Sequence, residues 1–79
     1  MKETFKPLPI HRQLAKKIQL LRVHRGWSQE TLAEVAGLHR NYIGHIERFE
    51  ANSCLTNLQR LAVAFDLSVH ELLDMDGVN

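Results

Sequence analysis

SQETLAEVAGLHRNYIGHIER, residues 28–48, is the stretch of sequence that decides the fold. Apolar side chains recur in it at helical spacing on both sides of Gly37, a residue that tolerates the positive φ of a tight turn. Ser28 is a favourable N-cap, and the small Ala33 allows a second helix to approach closely. The stretch therefore predicts two short helices, the second running from His39 to about Arg48, that meet at a steep angle. Their shared core is expected to contain Leu32, Ala36, Leu38, Ile43 and Ile46.

The residues before this stretch predict one longer helix. Pro7 and Pro9 mark an extended lead-in, and Gly26 is expected to end the helix as a left-handed cap. The apolar stripe of this helix, with steps of four, four and three residues, is Ile10, Leu14, Ile18 and Leu21.

The residues after the stretch predict two more helices. One opens at Leu55 or Thr56, and Ser68 caps a shorter one that ends near Leu73. No segment alternates convincingly with a period of two, so the sequence predicts an all-α chain of five helices. The expected division is a lead-in of residues 1–9, one domain of residues 10–74 and a tail of residues 75–79. The stripe of the fourth helix is Leu55, Leu58, Leu61, Ala62 and Phe65.

Length and composition favour one small globular domain. The chain has 79 residues, of which 44% are hydrophobic and 24% are charged. Its single cysteine, Cys54, cannot form an internal disulfide, which favours a reducing, cytoplasmic setting; we expect this thiol to be buried as a small apolar group. No apolar run approaches the roughly 20 residues of a membrane helix, and we expect no secretory signal or membrane partner.

The net charge of +1 conceals an uneven distribution. Residues 1–27 contain seven Lys or Arg and one acid, whereas residues 28–79 contain three Lys or Arg and eight acids. A basic part and an acidic part are compatible with one face for a polyanion and another for a different partner. Lys16 and Lys17 are expected on the exposed back of the first helix.

A helical wheel of residues 39–48 separates a buried side from an exposed one. The exposed side contains Arg40, Asn41, Gly44, His45 and Arg48, and no acid. Arg binds guanine and Asn binds adenine in the major groove of DNA, and Gly44 leaves room for a close approach. A solvated polar face is the plainer interpretation, but surface helices usually mix Glu with Lys. The composition of this face therefore favours nucleic-acid recognition.

At these residues the chain resembles the lambda-repressor/Cro-type helix-turn-helix regulators of the Xre family. The resemblance rests on WSQETLAEVAGLHRNYIGHIER and LTNLQRLAVAFDLSVHELL, and it covers roughly residues 10–73. HRNYIGHIER is especially similar to the recognition helix of restriction–modification controller proteins. The resemblance implies a compact five-helix, lambda-repressor-like DNA-binding domain without a cofactor. It also implies a transcription regulator that binds a pseudo-palindromic operator in double-stranded DNA as a homodimer, with RNA polymerase as a further candidate partner.

The resemblance also assigns roles to individual residues. The bases would be read by His39, Arg40, Asn41 and His45, and phosphates would be held by Gln29, Tyr42 and Arg48. A buried or half-buried ion pair would join Arg22 and Glu47. The candidates for the dimer interface are Leu67, Val69, Leu72, Leu73 and Met75.

The loop after the third helix departs from the family pattern. Phe49 occupies a position where the family often has Gly, Glu50 one that is often basic, and Ser53 one where Pro is common. These departures predict fewer phosphate contacts from this loop.

Other functions find little support in the sequence. His39 and His45 lie about 240° apart on a helix, so they cannot share a metal ion, and we expect no metal site. No nucleophile-elbow motif, carboxylate pair or phosphate-binding glycine loop is present, so we do not expect an enzyme. The remaining alternative is an antitoxin or adaptor whose main role is to bind a protein partner. The sequence does not distinguish an activator from a repressor, nor does it identify the operator.

Overall fold

The computed structural model describes residues 6–50 and 54–74. In these residues the chain forms five α-helices and no strand, which confirms the all-α prediction. The helices are α1 (Pro9–His24), α2 (Gln29–Ala36), α3 (Arg40–Glu47), α4 (Leu55–Ala64) and α5 (Val69–Leu72). α1 begins at the last residue of the expected lead-in, and its Pro9 occupies a first-turn position that needs no N–H donor. Residues 75–79, the expected tail, lie outside the described part.

One apolar core holds the five helices together. Every helix contributes to it, and the largest fully buried side chains include Phe65 of the α4 C-cap and Ile18 of α1. Each such side chain contributes roughly 1.5–3 kcal/mol by leaving water. The Trp27 ring stacks on Phe65 with the two centroids 5.7 Å apart. The buried residues are Leu14, Ala15, Ile18, Leu32, Ala33, Ala36, Ile43, Ile46, Leu61, Ala62, Ala64, Phe65 and Leu72.

The predicted burial of two stripe residues is wrong. Ile10 is 44% exposed and Leu55 is 74% exposed. Each lies in the first turn of its helix, ahead of the part that packs on neighbouring helices, so the apolar pattern continues beyond the contact. Cys54 is also exposed rather than buried, because it is the N-cap residue of α4.

The boundaries of α2 follow from local chemistry. The Ser28 hydroxyl accepts a hydrogen bond from the Thr31 N–H at 3.0 Å, which satisfies one of the donors left over at a helix start. Gly37 ends the helix with φ of 71°, and the Leu38 N–H then donates to the Ala33 carbonyl at 2.8 Å. Both caps lie where the sequence predicts them, so the turn between α2 and α3 is fixed locally.

The end of α3 uses an unusual residue. Phe49 has φ of 63°, and the Glu50 N–H donates to the His45 carbonyl at 2.7 Å. A left-handed conformation costs a non-glycine residue roughly 1–2 kcal/mol. The Arg12 guanidinium lies over the Phe49 ring, 5.2 Å from its centroid, and such a contact returns about 0.5–1 kcal/mol at an exposed site. Phe49 therefore adopts, just after α3, the left-handed conformation that glycine usually provides at a helix end.

Lys17 has a structural role that the sequence does not predict. Its ammonium donates hydrogen bonds to the carbonyl oxygens of Glu71, in α5, and of Asp74, two residues after the helix ends. Lys17 therefore joins α1 to α5 and is not simply part of an exposed back face.

Candidate nucleic-acid interface

α3 is fixed to α1 by a nearly buried ion pair. The Arg22 guanidinium donates to both carboxylate oxygens of Glu47, from Nε at 2.8 Å and from Nη2 at 3.0 Å. Its Nη1 donates to the Trp27 carbonyl at 2.8 Å. The side chains of Arg22 and Glu47 are only 13% and 5% exposed. Two parallel charge-assisted bonds of this kind fix orientation as well as distance, so the position of α3 relative to α1 is well defined.

Gln29 extends this network to α2. Its side-chain amide donates to Oε1 of Glu47 at 3.2 Å. The carboxylate of Glu47 is therefore shared among three helices. Gln29, expected at a phosphate, lies half-buried at the start of α2 with part of its amide committed to this structural contact.

The opposite side of α3 is open to solvent and polar. A cleft of about 410 Å³ lies between this side and the start of α2. The predicted base readers Arg40, Asn41 and His45 are all exposed, and all line the cleft together with Arg48. The cleft is lined by Gln29, Glu30, Arg40, Asn41, Gly44, His45 and Arg48.

Two of the predicted contact residues also have structural roles. His39 is the N-cap of α3, and its Nδ1 accepts a hydrogen bond from the Asn41 N–H at 3.1 Å. The imidazole thus replaces the short polar side chains that usually cap helices. Tyr42 is half-buried and packs against the apolar core. Both residues lie on α3 or at its start, but neither lines the cleft.

Gly44 is covered by side chains instead of lying open. A Cβ atom at this position would lie 3.0 Å from Nη1 of Arg48 and 3.5 Å from Oε1 of Gln29. The expectation that this glycine is exposed for a close approach is therefore wrong. Its missing side chain makes room for the guanidinium of Arg48.

Acidic side chains from outside α3 reach this face, which the helical wheel could not show. Oε2 of Glu30, in the first turn of α2, lies 3.7 Å from Nη1 of Arg40. Oε1 of Glu50 accepts a hydrogen bond from Nε of Arg48 at 2.8 Å and lies 3.2 Å from Nδ1 of His45. Two hydrogen bonds lower the pKa of the Glu50 carboxyl, and the one from Arg48 has a larger effect than the one from His45. The nearness of Glu50 to the end of α3 in the sequence is the signal that could have predicted this contact.

The candidates for a dimer interface fall into three groups. Leu72 is fully buried in the core, so it cannot contact a second protomer and that prediction is wrong. Leu67, Val69 and Leu73 are half-buried. Met75 lies outside the described residues. Leu55, which the sequence places in the apolar stripe of α4, is 74% exposed and lines a surface hollow with Val69.

In residues 6–50 and 54–74, no three His, Cys, Asp or Glu side chains are grouped so that they could hold a metal ion. Over the same residues, no helix combines the length and the hydropathy that crossing a membrane requires.

A tight pair of helices, with the second helix fixed on one side and polar on the other, is the geometry of a helix-turn-helix. A helix-turn-helix family model matches residues 18–72. The chain therefore belongs to the helix-turn-helix family, of Xre or lambda-repressor type.

The chain is similar to several individual proteins of this family. It is 46% identical over 65 residues to the control protein C.SmaI of Serratia marcescens, covering 82% of this chain and 77% of that protein. It is 42% identical over 60 residues to a hypothetical transcription factor of Neisseria meningitidis, covering 76% of this chain. The match spans 57% of that relative's length. The solved structure of the biofilm regulator SinR in complex with DNA is 35% identical, with a TM-score of 0.70 over 77% of this chain and 98% of that one.

Proposed function

We propose that the chain is a sequence-specific DNA-binding transcription regulator that places α3 in the major groove. One observation carries the proposal: the exposed side of α3 offers Arg40, Asn41 and His45 along an open cleft, while its other side is fixed against α1 and α2. A groove about 12 Å wide admits one helix. A rigid helix with hydrogen-bonding side chains on its outer side is suited to reading base edges there.

The side chains divide into base contacts and phosphate contacts. Arg40 is suited to a bidentate contact with guanine and Asn41 to one with adenine, and His45 can donate to or accept from a base. His39, through the ring atom that the helix cap does not use, completes the set of base readers. Phosphate contacts, which position a protein without reading sequence, are assigned to Gln29, Tyr42 and Arg48. The solved complex of the similar regulator SinR with DNA supports a DNA-binding role for the chain.

A homodimer fits the exposed apolar surface of α4 and α5. Leu55 and Val63 of α4 are 74% and 61% exposed, and Val69 lines the same hollow as Leu55. A two-fold axis brings the same patch of each protomer together, so these side chains would bury one another. Two recognition helices about 34 Å apart then read half-sites one turn of DNA apart.

Selection from a random duplex library, followed by footprinting of the selected site, tests the proposed function. We expect a site with two inverted half-sites whose centres lie about 10 base pairs apart. An absence of enrichment, together with co-purification of a protein partner, would instead favour the adaptor alternative.

The dimer is tested by sedimentation velocity on two matched variants. Leu55→Asp changes the proposed interface, whereas Leu20→Asp changes a 54% exposed leucine on α1. We expect Leu55→Asp to dissociate the dimer and Leu20→Asp to leave it intact. The reverse result would move the interface to α1.

A further inference from the structure

Two carboxylates accompany the arginines of the proposed DNA surface. Glu30 faces Arg40 at 3.7 Å, and Glu50 faces both Arg48 at 2.8 Å and His45 at 3.2 Å. All five side chains are at least half exposed. Exposed ion pairs add little to folding stability, so structural support does not account for two of them on one functional face.

We propose that Glu30 and Glu50 are specificity-determining residues that weaken binding to DNA of arbitrary sequence more than binding to the operator. This inference rests on the proposed function. It assigns the two acids to the same surface as the base readers, although neither belongs to α3.

The reason lies in the source of the binding free energy in each kind of DNA complex. Binding to arbitrary sequence derives nearly all its free energy from cations that neutralise phosphates. An arginine already paired with a carboxylate brings less net charge to that interaction, and the carboxylate itself is repelled by the phosphates. Each ion pair therefore lowers the affinity for arbitrary DNA.

The operator complex can compensate for the same acids. Nη1 of Arg40, the proposed guanine reader, lies 3.7 Å from Glu30, beyond hydrogen-bond length, so Arg40 can exchange this pairing for a bidentate contact with guanine. A carboxylate displaced into the groove can also accept a hydrogen bond from a cytosine amino group. These compensations need particular bases at particular positions, so the acids raise the ratio of specific to non-specific affinity.

Fluorescence anisotropy with two labelled duplexes tests this inference on the full chain. One duplex contains the site selected from the random library, and the other is a scrambled duplex of the same base composition. The variants are Glu30→Gln and Glu50→Gln. The matched control is Asp66→Asn, which removes the same charge from another exposed ion pair, 3.8 Å from Arg25 and outside the α3 face.

We expect Glu30→Gln and Glu50→Gln each to bind the scrambled duplex roughly two- to fivefold more tightly, the range of one exposed ion pair. Binding to the selected site should change less. The slope of log K against log salt should steepen by about 0.9 for each additional phosphate that the variant neutralises, which a purely structural role would not produce. Asp66→Asn should match the wild type.

Equal effects of the glutamate variants and Asp66→Asn would overturn the inference, as would equal strengthening on both duplexes. In either case the wild type still binds its selected site, so the proposed function survives. Failure of the wild type to prefer any duplex would reject the proposed function and this inference with it.

Discussion

Replacing Glu47 by Gln tests how strongly the Arg22–Glu47 pair holds α3 in place. The carboxylate accepts three hydrogen bonds, two from Arg22 and one from Gln29. An amide keeps one acceptor oxygen and turns an NH2 group toward the Arg22 donors. The charge of Arg22 then has no counter-ion in a site where its side chain is only 13% exposed.

The expected cost follows from this geometry. Breaking a buried pair by removing one partner costs about 3–5 kcal/mol. Arg22 keeps the Trp27 carbonyl and some contact with water, so we expect the lower end, about 3 kcal/mol. For a domain of this size that corresponds to a fall in Tm of about 12 °C or more.

Urea denaturation followed by circular dichroism at 222 nm measures this change. Glu34→Gln, an exposed acid on α2, is the matched control and should stay within about 0.5 kcal/mol of the wild type. The double variant Arg22→Met, Glu47→Leu removes both charges and should be more stable than Glu47→Gln, because no unpaired charge remains. A loss below about 1 kcal/mol for Glu47→Gln would refute the reasoning, since the pair would then stabilise the fold no more than an exposed surface ion pair does.

Three further predictions concern the DNA surface, a cap and pH. Arg40→Ala should cost roughly 1–3 kcal/mol on the selected site and relax preference at one base pair, as measured by anisotropy; equal losses on operator and scrambled DNA would make Arg40 a phosphate contact. Gly26→Ala should lower the free energy of unfolding by roughly 1–2 kcal/mol in urea denaturation, purely through its φ of 70°, since no atom beyond its two chain neighbours lies within 4 Å of the added Cβ. Carbon-detected NMR should find the pKa of the Glu50 carboxyl below the ordinary glutamate value and raised by Arg48→Gln. The stabilising contact of Glu50 is therefore present above the ordinary pKa and lost as pH falls through the lowered one; an unchanged pKa in Arg48→Gln would contradict it.

The sequence alone was sufficient to predict the structural features that depend on residues close together in the chain. The caps at Ser28, Gly37 and Ser68 involve residues a few positions apart, so their spacing identifies them. The central pair of helices has the same property, because its turn glycine and small contact residue lie within one short stretch. The five-helix architecture follows from those elements and their apolar stripes.

Features that depend on distant parts of the chain were not predictable in this way. Lys17 contacts carbonyls more than 50 residues away, and Glu30 reaches Arg40 from another helix. A helical wheel treats each helix alone, so it assigned α3 a face without acids. Likewise, the stripe of α4 could not reveal that Leu55 projects past its neighbours into solvent.

Gly44 restricts how this surface could diverge in evolution or be redesigned. Glycine inside a helix costs about 0.5–1 kcal/mol relative to alanine, so a search for more stable variants would favour replacing it. Any side chain there would begin with a Cβ 3.0 Å from Nη1 of Arg48, so the guanidinium would have to shift to accommodate it. New base preferences are therefore more accessible through Arg40, Asn41 and His45, whose side chains already face open solvent.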